Sequence, residues 1–175
     1  MNKALNVLVE NIKLTNIKIN FTIIEIGAVQ IKNEKEPFYE LLDYFPSSRI
    51  IGFELEKAVC EKMNSESSKG VKYYPYALGK SNEKRKLYIT QHPMCCSLYK
   101  PNENLIKLYN NFEVAYLKEE TEIDTISLDY FIDKHDVQNI DFIKIDVQGA
   151  ELDVFKGGSK ALKNVLKIVC EVEFV

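Results

Sequence analysis

Short apolar runs alternate along the chain with segments in which apolar residues recur at helical spacing. The apolar runs predict β-strands at 21–26, 49–53, 71–78, 140–145 and 167–174. The periodic segments between them predict helices at 37–45, from 55 to about 63, at 128–134 and at 151–163. This alternation is typical of a parallel sheet with right-handed crossovers and helices on both faces. The sequence therefore predicts an α/β fold with a doubly wound, mostly parallel sheet.

The remaining segments lie outside this predicted core. An amphipathic helix is predicted over 4–14 and is expected to cover the domain, so that residues 1–20 form a lead-in and 21–175 form the domain itself. Short strands are predicted at 86–90 and 122–127. The segment 92–104 is the least regular part of the chain, and a helical turn is expected at 105–109.

Composition narrows the class of protein. A chain of 175 residues with 46% hydrophobic residues is long enough to bury one core. The net charge of -3 argues against a protein that binds nucleic acid through a basic face. No apolar run approaches the roughly 20 residues of a membrane-spanning helix, so a membrane is not an expected partner. The cysteines lack metal-binding spacing and are predicted to be reduced thiols of a cytoplasmic protein.

Three predicted strands end in acidic residues: Glu25 in the first, Glu54 in the second and Asp146 in the fourth. If the chain order reverses beside the first strand, these ends meet at one crevice, where α/β sheets bind ligands. A carboxylate at the tip of the second strand can accept hydrogen bonds from both ribose hydroxyls, and Glu54 fits that role. Alternatives remain open, because Asp146 can simply start a turn and Glu54 can favour the start of a helix.

The turn after the first strand narrows the choice of nucleotide ligand. A dinucleotide fingerprint needs GxGxxG, so that backbone amides can approach a pyrophosphate. Here Gly27 is followed by Ala28, Val29, Gln30 and Ile31, with no second glycine. NAD and FAD are therefore disfavoured. A nucleoside ligand without a pyrophosphate needs less from this turn, which favours S-adenosylmethionine.

The segment DFIKIDVQGAELDVFKGG, residues 141–158, closely resembles the signature of FkbM-type S-adenosylmethionine-dependent methyltransferases. Other segments resemble that family in the same order: IIEIGA, IIGFELE, YALG, HPMCCSLYKPN and ISLDYF. The similarity covers residues 23–174. It implies a Rossmann-like class I methyltransferase fold, and an enzyme that methylates a hydroxyl of a small molecule or a sugar.

The resemblance also implies roles for individual residues. It places Glu25, Gly27 and Ala28 beside the methionine part of the cofactor, Glu54 on the ribose, Ala77 and Leu78 by the adenine, and Asp146 facing the sulfonium and the acceptor. The chain departs from the family where Ile31 replaces a second glycine and Leu55 replaces a proline. It also ends after the fifth predicted strand, whereas full sheets of this class add two more. The sequence is therefore interpreted as truncated or as a minimal variant.

Asp146 is the first candidate for the catalytic base or orienting acid of a hydroxyl acceptor. Glu151 is a second candidate, although stabilisation of the first helical turn is the favoured explanation for it. Lys144 has the same strand parity as Asp146 and can offset its charge. His92 and His135 are further candidates, because imidazole titrates near neutral pH. No metal site is predicted, and metal dependence stays open.

Two other functions compete with the enzyme. One is a degenerate or truncated methyltransferase fold that acts as a cofactor-binding or interaction module and self-associates through an exposed edge strand. The other is a nicotinamide oxidoreductase, which keeps the acid at Glu54 but lacks the glycines.

Overall fold

The computed structural model describes residues 3–15, 17–28 and 36–172. The described α-helices are α1 (Lys3–Leu14), α2 (Leu41–Tyr44), α3 (Lys57–Glu66), α4 (Glu103–Ile106), α5 (Leu128–Lys134) and α6 (Glu151–Gly157). The described strands are β1 (Thr22–Ile26), β2 (Arg49–Phe53), β3 (Val71–Tyr74), β4 (Ala77–Leu78), β5 (Glu83–Thr90), β6 (Leu117–Ile126), β7 (Phe142–Ile145) and β8 (Lys167–Cys170). Short 3₁₀ helices lie at Pro37–Glu40, Pro93–Cys95, Glu113–Ala115 and Ala161–Asn164.

Five of the described strands form the main sheet, in the order β3-β2-β1-β7-β8. Every pairing in it is parallel. The chain moves outward from β1 to β3 and then returns to the other side of β1 at β7. This reversal confirms the doubly wound α/β fold predicted from the sequence, and it places the switch point between β1 and β7.

Side chains on alternate residues of the strands build a core on each face of this sheet. On one face, Ile24, Ile26 and Ile143 pack with Leu128 and Phe131 of α5. The other face has a second buried cluster, whose members include Ile23, Ile50, Val71, Tyr73 and Cys60 of α3. Both faces of β1 are therefore covered, which explains the continuous apolar run in its sequence.

The predicted strand 71–78 is wrong as a single element. It divides into β3, which belongs to the main sheet, and β4, which belongs to a second sheet of order β4-β6-β5 among the described strands. Pro75 lies at the division. Proline has no N–H to donate to a strand ladder, so the first strand ends before it.

The second sheet is larger than the sequence predicted. β5 and β6 pair antiparallel along most of their length, and Lys84 and Lys86 contact Glu122 and Glu120 at 2.9 and 2.8 Å. Alternating charges on exposed strands look like loop or solvated helix in a sequence, which is why the predicted strands were too short. This sheet contacts α6 through Asp153, whose Oδ2 accepts hydrogen bonds from Arg85 and Tyr99 at 3.0 and 2.9 Å.

Two predicted helices are shorter or less regular than expected. The helix predicted over 151–163 ends at Gly157, and a separate 3₁₀ helix follows at Ala161–Asn164. Two adjacent glycines, Gly157 and Gly158, weaken helix propagation at that point. The segment predicted at 37–45 consists of a 3₁₀ turn followed by the single-turn helix α2.

The two ends of the described chain are partly exposed. In α1, Val9 is buried, whereas Leu8 and Leu14 are exposed, and the division at residue 20 stays a prediction. At the other end, β8 is the outermost described strand of the main sheet, and residues 173–174 of the predicted strand lie outside the described residues. No helix in the described ranges combines the length and apolarity that a membrane span requires.

Candidate site at the carboxyl edge of the sheet

The acidic residues predicted at the strand ends come from three adjacent strands. Glu25 is the fourth residue of β1, Glu54 follows β2, and Asp146 follows β7. The sheet order places β1 between β2 and β7, so all three acids lie at the same edge of the sheet. Glu25 aligns with Gly52 of β2 on one side and with Lys144 of β7 on the other. The three acids therefore lie together at the switch point, and the ligand crevice expected there stays a prediction.

Two segments of the backbone approach each other closely at Gly27, just beyond β1. Asp146 N donates to Ile26 O at 3.0 Å, and Ala28 N donates to Phe53 O at 3.0 Å. A Cβ at Gly27 would lie 1.8 Å from Asp146 O. The start of the turn after β1 is thus in direct contact with the backbone of Asp146. Ala28, the next residue of the turn, is buried. Ile31 and the rest of this turn lie outside the described residues.

Glu25 is a buried acid, with only 2% of its surface exposed. Tyr39, on the 3₁₀ turn before α2, donates its hydroxyl proton to Glu25 Oε2 at 2.6 Å. Burial raises the pKa of Glu25 to about 7, although the Tyr39 hydrogen bond and the Lys144 charge oppose that rise. The carboxyl is therefore poised to gain or lose a proton near neutral pH.

The wild-type protein is expected to lose stability at high pH because Glu25 ionises, and replacing Glu25 with Gln should prevent that loss. The pKa is about 7 in the folded protein against an ordinary value of 4.5, so this carboxyl favours folding below pH 4.5 and that contribution is lost as the pH rises through 7. Since 7 − 4.5 = 2.5, the full effect is roughly 3 kcal/mol. Denaturant unfolding at pH 5 and pH 9 should show the wild type losing roughly 2 to 3 kcal/mol relative to E25Q. Parallel stability curves for the two proteins would contradict this assignment.

Asp146 lies in a polar environment at the end of β7. Its Oδ1 accepts a hydrogen bond from Gln148 Nε2 at 2.8 Å, and its Oδ2 lies 3.8 Å from Lys144 Nζ. Lys144 also contacts Glu36 Oε1 at 2.7 Å. About a fifth of the Asp146 side chain is exposed, at 22%, so the carboxylate is both oriented and accessible.

The backbone after Asp146 is bent sharply and is held by Glu151. Gln148 and Gly149 both have positive φ, at 54° and 95°. Glu151 Oε1 accepts hydrogen bonds from Val147 N at 3.2 Å and from Gly149 N at 3.0 Å. The buried Glu151 carboxylate therefore stabilises the turn that carries Asp146 and Gln148. A direct catalytic role for Glu151 stays a prediction.

Replacing Glu151 with Ala should destabilise the protein by about 2 kcal/mol, because two backbone amides lose a charged acceptor. E151Q is the matched control, since its amide oxygen can still accept from one or both N–H groups, and it should cost less than about 1 kcal/mol. Denaturant unfolding at constant pH measures both values. Equal losses in the two variants would mean that the charge of Glu151 matters and the acceptor geometry does not.

Glu54 is bound to the chain immediately after it. Its Oε1 accepts from Glu56 N at 2.8 Å, just before α3. Burial raises the pKa of Glu54, and the hydrogen bond from the Glu56 amide opposes that rise. One carboxylate oxygen thus holds the backbone that leads into α3, although Glu54 is buried and not the exposed helix-starting residue of the alternative explanation. The predicted role on a ribose stays a prediction.

The other predicted site residues lie farther from this cluster or point elsewhere. Leu78 is buried in the core beside α5, while Ala77 is half-buried in β4. His92 is exposed, and its Nδ1 accepts from Met94 N at 3.3 Å in a 3₁₀ turn. His135 packs on Phe131 at the end of α5, on the opposite face of the sheet from Glu25. None of these contacts brings a histidine to Glu25 or Asp146, and the predicted roles of these four residues stay predictions.

Several residues that contact the acids have no recognisable signal in the sequence. Tyr39 lies in a predicted helix and Tyr73 in a predicted strand, and nothing in either pattern indicates a contact with an acid. Their contacts join residues far apart in the chain, such as Tyr39 with Tyr73 at a separation of 34. Gln148 lies inside the signature segment, but only the structure shows its bond to Asp146.

Metal ligation and thiol chemistry find no support among the described residues. Within those residues, no group of three His, Cys, Asp or Glu side chains is arranged to hold a metal ion. No disulfide joins Cys60, Cys95, Cys96 or Cys170 within the part of the chain that the structure describes. Burial raises the pKa of Cys60 and of Cys170, which disfavours their thiolates.

Comparison with known proteins gives one match. A family model described as the methyltransferase FkbM domain matches residues 25–175. The match begins at Glu25, so it includes the last two residues of β1, the turn at Gly27 and the segment around Asp146. Searches of curated proteins and of solved structures found no match.

Proposed function

Because the chain belongs to the FkbM methyltransferase family, we propose that it transfers a methyl group from S-adenosylmethionine to a hydroxyl of a small molecule or a sugar. The observation that supports this proposal is the arrangement of Glu25, Glu54 and Asp146 around the switch point of a doubly wound sheet. Ligands of open α/β sheets bind outside the carboxyl ends of the strands at this position.

The side chains at this edge fit the chemistry of the proposed methyl donor. S-adenosylmethionine carries an ammonium, a sulfonium and a ribose diol, and carboxylates are suitable partners for all three groups. Glu25 would serve the methionine part, Glu54 the ribose and Asp146 the side that faces the acceptor. Gly27 allows the turn after β1 to lie against Asp146 O, where a Cβ would collide. This close approach brings the end of β1 next to the end of β7.

The bound donor would supply an electrophilic methyl group. In the transfer, the C–S bond breaks and a C–O bond forms, while the hydroxyl proton of the acceptor passes to a base. Asp146 is the proposed base, because Gln148 fixes one of its oxygens and the side chain is partly exposed. Correct orientation of the two reactants can supply roughly 7–11 kcal/mol of barrier reduction.

Calorimetric titration with S-adenosylmethionine tests this function, using the wild type, E54A and E54Q. The wild type should show saturable binding. E54A should bind at least about tenfold more weakly, since a hydrogen bond to a charged group contributes about 1.5–3 kcal/mol. E54Q retains an acceptor for Glu56 N, and therefore separates the loss of the ribose contact from disorder at the start of α3. A folded wild type that binds no donor would overturn the proposal.

A second candidate function is an interaction module, and the exposed edge of β8 favours it. Ile168 and Val169 of β8 are 40% and 43% exposed, and Leu166, just before this strand, is 78% exposed. Lys167 N and Glu171 N donate to the backbone around β7. Because neighbours in a strand alternate in direction, Ile168 and Cys170 present their backbone groups outward. A second copy of the chain could pair there in antiparallel fashion about a two-fold axis at Val169.

Self-association through β8 would place Lys167 opposite Glu171 of the other copy, so the charges in this register are complementary. Light scattering after size-exclusion chromatography should then show a dimer. V169K should give a monomer, because it places two ammonium groups face to face at the axis. The matched control V169T keeps a β-branched residue and should remain dimeric. A wild type that is monomeric at high concentration would contradict this candidate.

A further inference from the structure

Three buried or half-buried side chains form a continuous hydrogen-bonded chain on the face of the sheet covered by α2 and α3. Tyr39 donates to Glu25 Oε2 at 2.6 Å, and the hydroxyls of Tyr39 and Tyr73 lie 2.5 Å apart. The single hydroxyl proton of Tyr39 is committed to Glu25. Tyr73 is therefore the donor in the second hydrogen bond. The chain of donors runs from Tyr73 through Tyr39 to the carboxyl.

The position of Tyr73 depends on the absence of a side chain at Gly52. Gly52 aligns with Glu25 on one side and with Tyr73 on the other. A Cβ at Gly52 would lie 2.2 Å from Tyr73 Cδ1, so the aromatic ring occupies the space above this glycine. The ring thus crosses β2 toward β1, and its hydroxyl meets Tyr39 beside Glu25. Gly52, the one residue of β2 without a side chain, therefore leaves room for the Tyr73 ring.

Among the described residues, one ammonium and one carboxylate are the charged groups that act on Glu25. From β7 it faces Lys144, and from the segment before the 3₁₀ turn it faces Glu36. Lys144 contacts Glu36 at 2.7 Å and Asp146 at 3.8 Å, so three carboxyl groups share one ammonium. Among the described residues on this side, Tyr39 and Tyr73 add hydroxyl donors, and burial together with the neighbouring Glu25 raises the pKa of Tyr39. The Glu25 carboxyl is therefore held in one orientation, but no neighbouring cation fully compensates its charge when it is ionised.

We propose that Tyr39 and Tyr73 are positioning residues for methyl-donor binding, which hold the Glu25 carboxyl in place, and that the cationic donor displaces a proton from this carboxyl. This inference rests on the proposed function. In the step, the O–H bond of the Glu25 carboxyl breaks, the proton passes to the solvent buffer, and the carboxylate remains opposite the donor's positive charge. The one bond formed is that between this proton and the buffer base that accepts it.

Proton release can be measured directly by calorimetry. Wild-type protein is titrated with S-adenosylmethionine at pH 6.5 in two buffers of different ionisation enthalpy, and the difference in binding enthalpy gives the number of protons released. With its pKa at about 7, the Glu25 carboxyl is about three-quarters protonated at this pH, so about three-quarters of a proton should be released. E25Q should release none of this proton.

Two hydroxyl deletions test the positioning role. Y39F keeps the ring and its stacking on Phe38, but it removes the hydrogen bond that lowers the pKa of Glu25. The pH at which donor affinity is half-maximal should therefore move upward in Y39F. Y73F keeps the ring above Gly52 and removes the hydrogen bond to the Tyr39 hydroxyl, so it should move the midpoint in the same direction by a smaller amount. A purely structural role for the two tyrosines would leave the midpoint unchanged.

The outcomes separate this inference from the function on which it rests. A folded wild type without saturable binding at any pH from 6 to 8.5 overturns the proposed function, and the inference with it. Saturable binding without proton release overturns the inference alone. Proton release with an unchanged midpoint in Y39F overturns the role of the tyrosines.

Discussion

Replacing Gly27 with Ala is expected to destabilise the protein by about 2–5 kcal/mol and to abolish donor binding. Gly27 has φ +78°, and the left-handed region costs a residue with a Cβ roughly 1–2 kcal/mol. The new Cβ would also lie 1.8 Å from Asp146 O, which is a backbone atom that cannot rotate away. Overpacking of this kind costs about 1–3 kcal/mol more. Relief requires β1 and β7 to separate at the switch point, where the crevice lies.

Gly149→Ala is the matched control for this effect. Gly149 also has positive φ, at 95°, but a Cβ built there would meet nothing within 4 Å. G149A should therefore cost only the backbone strain, about 1–2 kcal/mol. Denaturant unfolding of both variants, with equal m-values, gives the difference that belongs to the collision with Asp146. Equal losses in G27A and G149A would show that the contact between the turn and Asp146 relaxes at little cost.

The strands of the main sheet could be predicted because the patterns that indicate them lie within short segments of the sequence. Each buried strand is a short apolar run, and each is followed by a segment of helical spacing. The meeting of Glu25, Glu54 and Asp146 followed from the same pattern, since the carboxyl ends of parallel strands lie at one edge. The prediction failed where local signals conflict. Pro75 interrupts an apolar run that looks continuous, and the charged strands β5 and β6 lack the pattern of a half-buried sheet.

The detailed geometry of the site could not be predicted, because it depends on contacts between distant segments. Tyr39 donates to Glu25, and the hydroxyl of Tyr73 reaches Tyr39 only because Gly52 leaves room for the Tyr73 ring, which no local pattern indicates. Glu151 was singled out for its place at a helix start. Its actual contacts are with two amides of the preceding turn, and those contacts need the positive φ of Gln148 and Gly149.

The turn after β7 fixes the direction of Asp146 through several of these features at once. Gln148 adopts a backbone conformation that is unfavourable for a residue with a side chain, with φ at 54°. That conformation brings Gln148 Nε2 to Asp146 Oδ1, and Glu151 holds the strained backbone in place. Backbone strain that the surrounding structure maintains is frequent at functional sites. The strain here therefore supports Asp146, rather than Glu151, as the residue that meets the acceptor.

Replacing Asp146 with Asn is accordingly expected to lower kcat by roughly 10² to 10⁴-fold, the range that a general base contributes. Asn is nearly the same size, and its amide oxygen can still accept from Gln148, so the fold should be retained. Lys144 keeps its contact with Glu36. The rate is measured with an acceptor identified in a screen of hydroxylated metabolites and sugars, together with the donor Kd. We expect kcat to fall far more than the donor Kd changes.

The control for Asp146→Asn is Q148L, which removes the orienting hydrogen bond and leaves the carboxylate in place. A base that depends on orientation should lose activity in Q148L, but by less than in D146N, because the carboxylate can still reach the acceptor in part of the population. If D146N retains the wild-type kcat, Asp146 is not the base. If Q148L and D146N lose equal activity, the position of the turn controls the rate, and the charge of Asp146 does not. The relative size of the two losses therefore distinguishes proton transfer from alignment as the role of this strand end.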